Sequence, residues 1–216
     1  MRTIFTLLVG VVAMVCTGCE VDDTELTNHK TYTLYEDISA IVISNGADVV
    51  VDDALPHDQV YALTNAKNFN KLSVEVIDGT LHIGVSTYTA IFGLKRCLVY
   101  VPSVAYERVA LKGGSDFSWD SCNSDVLSIS VSGGGDCYIK GVAQKLSIDS
   151  SGGADIKCGE LEAEDVTINA SGGSDIDAVA NSTLSLTAAG GADIHIKGNP
   201  QIVYWDVSGG ADVEFN

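Results

Sequence analysis

The chain has 216 residues and a formal net charge of −17 at pH 7, from 29 acidic and 12 basic side chains. This length allows one domain with a continuous core or two small domains. The acidity argues against binding to nucleic acid and against electrostatic docking on anionic membrane, because like charges repel. The composition suits a solvated, exposed surface.

Residues 1–18 have the features of a signal peptide. Arg2 supplies a short positive start, and residues 4–15 are a nearly unbroken apolar run. This run is too short to anchor the mature protein as a transmembrane helix. An ordinary secretory signal is one interpretation of the segment, and a lipoprotein signal is the other.

The end of the segment favours the lipoprotein signal. Thr17 and Gly18 precede Cys19, and small residues before a cysteine resemble the lipobox of bacterial lipoproteins. The sequence departs from that pattern at Cys16, where Leu or Val is usual. The resemblance implies cleavage before Cys19 and lipidation of its sulfur, which would hold the protein on a membrane.

The next segment, residues 19–34, is predicted to be an acidic tether. Residues 20–25 read Glu-Val-Asp-Asp-Thr-Glu. They resemble the signal that sends some Gram-negative lipoproteins to the outer face of the cell, although a plain flexible tether has the same composition. We expect the folded domain to span residues 35–216.

Short strands are predicted in the first half of that domain. Residues 41–43 and 49–51 flank Asn45-Gly46-Ala47-Asp48, a corner that returns in stricter form later. Asp78-Gly79 is a strong hairpin signal between alternating segments. Another strand, residues 97–101, ends at Pro102. These segments are expected to form the less regular starting turns of the fold.

One insert, residues 86–96, follows no strand pattern and mixes aromatic with basic side chains. It either covers one end of the core or forms a contact loop for a glycan or protein. The candidate contact residues are Tyr88, Phe92, Lys95 and Arg96.

From residue 107 onward the chain contains six similar repeats. Each carries two glycines, one small residue and an aspartate, and successive aspartates are 20, 19, 20, 18 and 19 residues apart. A fixed period near 19 residues is typical of a solenoid. The six aspartates are Asp116, Asp136, Asp155, Asp175, Asp193 and Asp212.

Apolar and polar residues alternate within each repeat. Of the positions 9, 7 and 5 before the aspartate and 1 and 3 after it, 28 of 30 are apolar, so the pattern has period two and predicts half-buried strands. The same parity places the first glycine and the small residue inside the bend. We therefore predict an all-β fold, a single-stranded parallel β-helix with rungs of about 19 residues and irregular N-terminal rungs.

The six aspartates are expected to stack in one ladder about 4.8 Å apart. In the structural interpretation each carboxylate accepts hydrogen bonds from the backbone of its own corner. In the functional interpretation the ladder holds cations such as Ca²⁺. The sequence lacks the extra glycine of calcium-binding β-roll repeats, which favours the structural role, and we predict no metal site and no cofactor.

Four cysteines remain in the predicted domain, at Cys97, Cys122, Cys137 and Cys158. Their spacing has no CxxC pattern, which argues against zinc and thioredoxin-like chemistry. Cys137 and Cys158 fall at inward positions, where buried thiols are favoured over a disulfide.

The last repeat carries larger inward residues than the others. Trp205 and Phe215 stand where Val, Leu or Ile is usual, and they are expected to plug the end of the apolar column. On that basis we expect a monomer with at most weak self-association.

The Asp78-Gly79 hairpin, the strand ending at Pro102 and the repeated glycine-glycine-small-aspartate corners together resemble the GIN domain, also called DUF2807. This family is described as the head of an auto-transporter adhesin, and the resemblance covers about residues 35–216. It implies a β-helix related in shape to pectin lyases, without a recognised active site, and a role in adhesion.

The predicted function is a non-catalytic binding or adhesion module on a lipid anchor at the outer membrane, exposed at the cell surface, with an extracellular glycan or protein as its ligand. A carbohydrate-active enzyme on a pectin-lyase-like scaffold and an inert structural envelope lipoprotein are the alternatives. The repeat accounts for almost every acidic residue, and the sequence has no nucleophile elbow, phosphate loop or metal-ligand spacing, so no catalytic residue is predicted.

Lipidation of Cys19 can be tested by fractionation. We expect Cys19→Ala to move nearly all of the protein from the membrane fraction to the soluble fraction, because the acyl chains supply the anchor. A mutant that stays with the membrane would rule out lipid anchoring.

Overall fold

The protein is a parallel β-solenoid of about five turns in the computed structural model, which describes residues 26, 28–64, 69–86 and 97–216. Cys19 and the predicted contact loop at Tyr88, Phe92, Lys95 and Arg96 lie outside these ranges. Within them, no helix has the length and apolarity needed to cross a membrane. The predicted fold class is confirmed.

The described ranges contain fifteen strands and one short 3-10 helix, Phe69–Lys71. The strands are β1 (Asn28–Thr33), β2 (Ala40–Ser44), β3 (Asp48–Asp52), β4 (Gln59–Thr64), β5 (Leu72–Ile77), β6 (Thr80–Val85), β7 (Cys97–Pro102), β8 (Arg108–Gly113), β9 (Phe117–Gly133), β10 (Cys137–Gly152), β11 (Asp155–Gly172), β12 (Asp175–Gly190), β13 (Asp193–Lys197), β14 (Gln201–Val207) and β15 (Asp212–Phe215).

The strands form two faces joined by the bends of the long strands. The first sheet has the order β5, β6, β2, β8, the C-terminal parts of β9 to β12, and β14. The second sheet has the order β1, β4, β7, β3, the N-terminal parts of β9 to β12, β13 and β15. The apolar core lies between the two faces.

The predicted alternation is confirmed in the first sheet. Ile129, Ile148, Ile168 and Leu186 pair in register across four rungs, and all four are fully buried. Burial of each such side chain stabilises the fold by about 1.5–3 kcal/mol. Along each strand, the residues that alternate with this inward set point outward. One apolar column therefore runs along the inside of the solenoid.

The variable corners are more regular than the sequence indicates. Residues 141–143 of β10 pair in parallel with residues 122–124 of β9. Each of the strands β9 to β12 therefore continues for 16–18 residues through both faces. Hydrogen bonding between rungs continues around this bend, which leaves fewer backbone groups without partners.

The corner glycines face the neighbouring rung rather than the core, which corrects one prediction. The small residues before the aspartates are buried, as Ala154 and Ser174 show, except for the half-buried Ala211 of the last repeat, but the first glycines are half-buried or exposed. At Gly152 the φ angle is +145°, and a Cβ there would clash with the carbonyl oxygen of Gly133 in the previous rung. Glycine is required by both the backbone angle and the closeness of the stack.

The N-terminal rungs belong to the same solenoid, but they do not stack in chain order. β2 lies between β6 and β8, and β3 lies between β7 and β9. The first rung in sequence, formed by β2 and β3, is therefore inserted between the rung of β6 and β7 and the rung that begins with β8 and β9. Antiparallel strands close this end: β5 pairs with β6, β4 pairs with β7, and β1 pairs with β4. The predicted hairpin at Asp78-Gly79 is confirmed, and both residues have positive φ.

The tether boundary also needs correction. Asn28–Thr33, which the sequence places in the tether of residues 19–34, form strand β1 and pair with β4 along its whole length. The segment is mostly polar because much of it lies at the exposed edge of the second sheet. Its pairing is with a strand more than 25 residues later, which composition alone does not reveal.

The last described rung is more open than expected. Ile202 pairs with Leu184 and Trp205 with Leu186, so Val203 is an extra residue in a bulge rather than an inward one. Trp205 and Phe215 stack with ring centroids 5.9 Å apart, yet they remain 44% and 49% exposed. The two rings cover the end of the column only in part.

The four described cysteines are free and buried. The prediction of buried thiols that pack as small apolar groups concerned Cys137 and Cys158, and Cys97 and Cys122 share this environment. Burial raises the pKa of Cys97 to about 12, with a further contribution from Asp48, and raises that of Cys137 to about 12. Thiols with such pKa values are poor nucleophiles near neutral pH.

The glycine column generates a stability prediction with a matched control. We expect Gly152→Ala to lower the free energy of unfolding by about 3 kcal/mol, through backbone strain and the clash with Gly133. For a domain of this size that corresponds to roughly 10 °C in Tm.

The control is Gly153→Ala, because a Cβ at Gly153 would lie an ordinary 3.8 Å from the carbonyl oxygen of Gly173. Thermal unfolding of both variants, followed by circular dichroism, makes the comparison. Equal losses in the two variants would contradict the assigned stacking of the corners.

Candidate ligand-binding face

The predicted aspartate ladder exists and is longer than predicted. Asp155, Asp175, Asp193 and Asp212 pair directly in register along the second sheet. Asp116 and Asp136 continue the row toward the N-terminal end. Asp48 is a seventh member of the ladder. The residues that follow Asp48 and Asp116, Val49 and Phe117, pair between β3 and β9, so the two aspartates share one register position. The carboxylates follow one another at about 4.8 Å on the outer edge of the corner.

The hydrogen bonds of the ladder run mainly between rungs. The carboxylate of Asp116 accepts the backbone N–H of Asp136 at 2.9 Å, in the next rung rather than in its own corner. Farther along, the N–H groups of Asp175 and Asp193 donate to the carbonyl oxygens of Ala154 and Ser174. The carboxylates therefore cap backbone groups only in part of the ladder, where the main-chain pairing leaves a donor available.

Repulsion between the carboxylates is visible at Asp136. Desolvation raises its pKa, and the neighbouring carboxylates of Asp116 and Asp155 raise it further. Because the folded-state pKa is raised, the ionised form is disfavoured in the fold, and stability decreases as pH rises through that pKa. Lys157, whose ammonium lies 3.7 Å from Asp155, offsets part of this repulsion.

The described residues contain no group of three or more His, Cys, Asp or Glu side chains arranged to hold a metal ion. The ladder places its carboxylates in a line, whereas Ca²⁺ takes 6–8 oxygen ligands around one centre.

A second row crosses the same face two residues after the ladder. We call Tyr61, Tyr100, Val50, Ser118 and Tyr138 the aromatic row. They occupy one register position on β4, β7, β3, β9 and β10. All five side chains are partly exposed. Tyr100 and Tyr138 are separated by two shorter side chains, over about 14 Å or three strand spacings.

The aromatic groups at one end of the row contact one another. The ring of Tyr61 lies 6.3 Å from that of Tyr100, and His29 stacks on Tyr61 at 5.7 Å with an interplanar angle of 29°. Three aromatic rings thus form a continuous patch across β1, β4 and β7. Such pairs contribute about 0.5–1.5 kcal/mol beyond their buried area and hold the rings in place.

Tyr138, at the other end of the row, is held by polar contacts. Its hydroxyl donates to the Glu160 carboxylate at 3.2 Å. The Lys140 ammonium lies 5.0 Å from the ring centroid and 3.3 Å from the same Glu160 carboxylate. The ring therefore has a defined position and a cation already against it.

The far side of the aromatic row carries another carboxylate. Asp53 accepts a hydrogen bond of 2.6 Å from Ser121, and this bond, with a second from Ser103, lowers its pKa. Asp53 therefore stays ionised at neutral pH. The row is bounded by acceptor groups on both sides, the ladder on one and Asp53 on the other.

The sequence pattern missed the patch of His29, Tyr61 and Tyr100. Each tyrosine stands at an outward position of an alternating strand, which is a signal for exposure. Their proximity arises from the antiparallel pairing of β4 with β7, and no repeat in the sequence marks that pairing. Tyr138 does lie in the repeat, at an outward position.

A shallow cavity of about 370 Å³ opens at the N-terminal end between β1 and β5. Its lining includes Tyr32, Leu34, Val74 and Val76. The Tyr32 hydroxyl is buried there without a hydrogen-bond partner, and desolvation raises its pKa. Thr33, Tyr35 and Glu36 also line the cavity, so its surface is partly polar and partly apolar.

Comparison with known proteins agrees with the fold and the repeat. The family profile described as "Putative auto-transporter adhesin, head GIN domain" (DUF2807) matches residues 35–200. A search of curated proteins finds no match.

Solved structures with a similar fold come from Bacteroides and Parabacteroides. A "putative adhesin" from Bacteroides fragilis has a TM-score of 0.69 and 18% identity, over 88% of this chain and 96% of that one. A "Putative lipid binding protein" from Parabacteroides distasonis has a TM-score of 0.51 and 17% identity, with the same coverage. At these identities the likeness shows the fold alone.

The ladder contacts predict that equivalent aspartates differ in their effect on stability. We expect Asp116→Ala to lower the free energy of unfolding by about 1 kcal/mol, because the Asp136 N–H loses its acceptor. We expect Asp193→Ala to change it by less than about 0.5 kcal/mol, since removal of its charge relieves repulsion and the next backbone donor, Asp212 N–H, bonds to Ala192. Urea unfolding of both variants measures the difference, and a larger loss in Asp193→Ala would contradict these roles.

Proposed function

Because the chain belongs to the GIN-domain family (DUF2807), we propose that it is a non-catalytic adhesion module, displayed on the cell surface by a lipid anchor, that binds an extracellular glycan or protein. The outer face of the second sheet is the proposed binding surface. The following observations support this assignment.

The observation that carries the proposal is the regular outer face itself. It presents two adjacent rows of exposed or half-exposed side chains, the aspartate ladder and the aromatic row with its continuation through Lys157, Asp177 and His195. The backbone beneath them is hydrogen-bonded from rung to rung. A rigid surface loses little conformational freedom on binding, which favours affinity.

The chemistry of the face fits binding better than catalysis. A glycosidase needs two carboxyl groups on opposite sides of one bond, with different environments. The ladder carboxylates instead repeat in one line, and those of Asp116 and Asp155 already contact a backbone N–H and Lys157.

The proposed anchor is close in sequence to the strand that edges the proposed binding face. Strand β1 begins at Asn28, nine residues after Cys19, so an extended linker would reach about 30 Å. β1 is also the edge strand of the second sheet, which carries both rows. A lipid on Cys19 would therefore hold this sheet near the outer membrane while leaving its outer face open to the surroundings.

The proposal predicts that surface display produces adhesion. In a Gram-negative host, intact cells that make the full chain should become sensitive to added protease at this protein. They should also be retained several-fold more than empty-vector cells on immobilised mucin or extracellular-matrix protein. Cys19→Ala, which should abolish display, is the matched control and should return retention to the vector level.

Two results would contradict the proposal. In the first, the protein is membrane-bound but protected from protease in intact cells, which would place it on an inner leaflet. In the second, the protein is displayed but retention stays at the vector level on every surface tested.

A further inference from the structure

We propose that the aromatic row is a subsite for a neutral oligosaccharide, whose chain lies across the strands between Tyr100 and Tyr138. This inference rests on the proposed function and narrows its ligand to one chemical class. It is carried by the spacing of the rings, by the contacts that hold them and by the charges around them.

The spacing of the rings fits an extended ligand. Val50 and Ser118 lie between Tyr100 and Tyr138 in the register, and both reach less far from the sheet than a tyrosine. The row is therefore low in the middle and aromatic at both ends, over about 14 Å. An oligosaccharide can contact both ends at once, whereas a single sugar ring cannot.

Aromatic rings offer a sugar a suitable contact. The C–H groups on one face of a pyranose ring are weakly positive and apolar, and the face of a tyrosine ring is negative. Tyr61 and His29 extend the aromatic surface beyond Tyr100. The ligand would thus have further stacking positions toward β1.

The polar groups beside the middle of the row are carboxylates. Carboxylate oxygens accept hydrogen bonds, so Asp48 and Asp116 on one side and Asp53 on the other fit the hydroxyl donors of a sugar. They would repel uronic or sialic acids. They would equally repel the phosphates of a nucleic acid, which needs basic side chains for neutralisation.

The charges next to Tyr138 favour a neutral ligand over a basic peptide. Lys140 already lies against the Tyr138 ring at 5.0 Å. Lys157 occupies the next position in the row, beside Tyr138. A lysine or arginine of a partner would find a cation already against the ring, and the Glu160 and Asp155 carboxylates already paired with Lys140 and Lys157, whereas a neutral sugar would gain donors there.

The test uses the full chain, purified in detergent, with neutral hexasaccharides of glucose, mannose, galactose and N-acetylglucosamine as probes on an array and then in calorimetry. A uronic-acid hexamer and a lysine-rich peptide are the comparison probes. We expect at least one neutral probe to bind and the uronic-acid hexamer and the lysine-rich peptide not to bind.

The variants locate the subsite. Tyr100→Ala and Tyr138→Ala should each weaken binding about tenfold, because each removes one stacking ring. Tyr138→Phe keeps the ring and should remain within about threefold of the parent. Tyr204→Ala is the control, since Tyr204 is an exposed tyrosine on β14 of the first sheet, and it should not change binding. Circular dichroism of each variant checks that the fold is kept.

Three outcomes would overturn the subsite: binding of the lysine-rich peptide only, no binding of any neutral probe, or neutral binding that neither Tyr100→Ala nor Tyr138→Ala reduces. These outcomes are separable from failure of the proposed function. If displayed wild-type cells adhere while the tyrosine variants adhere equally well, the adhesion module stands and this subsite does not.

Discussion

The close stacking of backbone at the glycine corner is the constraint on which the rest of the structure depends. At Gly172 the φ angle is +111°, and a Cβ would clash with the carbonyl oxygen of Gly152 directly below it. No other residue type fits such a column, so the corners align from rung to rung. Because a strand has a period of two residues, this alignment fixes which side chains face inward on both sides of the corner. The position of the aspartate three residues later is fixed by the same alignment, so the ladder follows from the glycines.

That constraint explains why so much of the fold could be predicted. The repeat supplies its own register, so local patterns in residues 107–216 predict the strand faces, the inward column and the row of aspartates. The predictions fail where pairing is not marked by the repeat. β1 and β4 pair antiparallel with strands chosen by tertiary packing, and β2 joins the stack out of chain order. Val203 falls into a bulge because one repeat has an extra residue before Trp205. The polar strand Asn28–Thr33 carries only Tyr32 as a side chain that packs against the core, which is too weak a signal to predict a strand.

The two rows of the candidate site also differ in how far the sequence repeat predicts them. The ladder consists of one residue type at a fixed repeat position, so six of its seven members could be identified in advance. The aromatic row combines Tyr138 of a repeat with Tyr61 and Tyr100 of the irregular end, and only the topology brings them to one register position. A feature assembled from both halves of the chain is not visible in either half alone. Its composition is also less uniform, since Val50 and Ser118 separate the rings.

The placement of the aromatic row at the junction of regular and irregular rungs has an energetic rationale. Along the regular rungs each carboxylate has like-charged neighbours above and below, and at Asp136 desolvation together with the carboxylates of Asp116 and Asp155 raises the pKa. Extending that ladder further would add repulsion without adding a new contact. At β7 the position of the aspartate ladder is occupied by Leu98, which pairs with Asp48. The position of the aromatic row on the same strand is occupied by Tyr100. The irregular strands therefore end the run of like charges and supply aromatic area beside it. A purely repetitive solenoid would offer a ligand only one kind of contact along its length, whereas this junction places stacking rings and ionised acceptors within one short stretch of the same face.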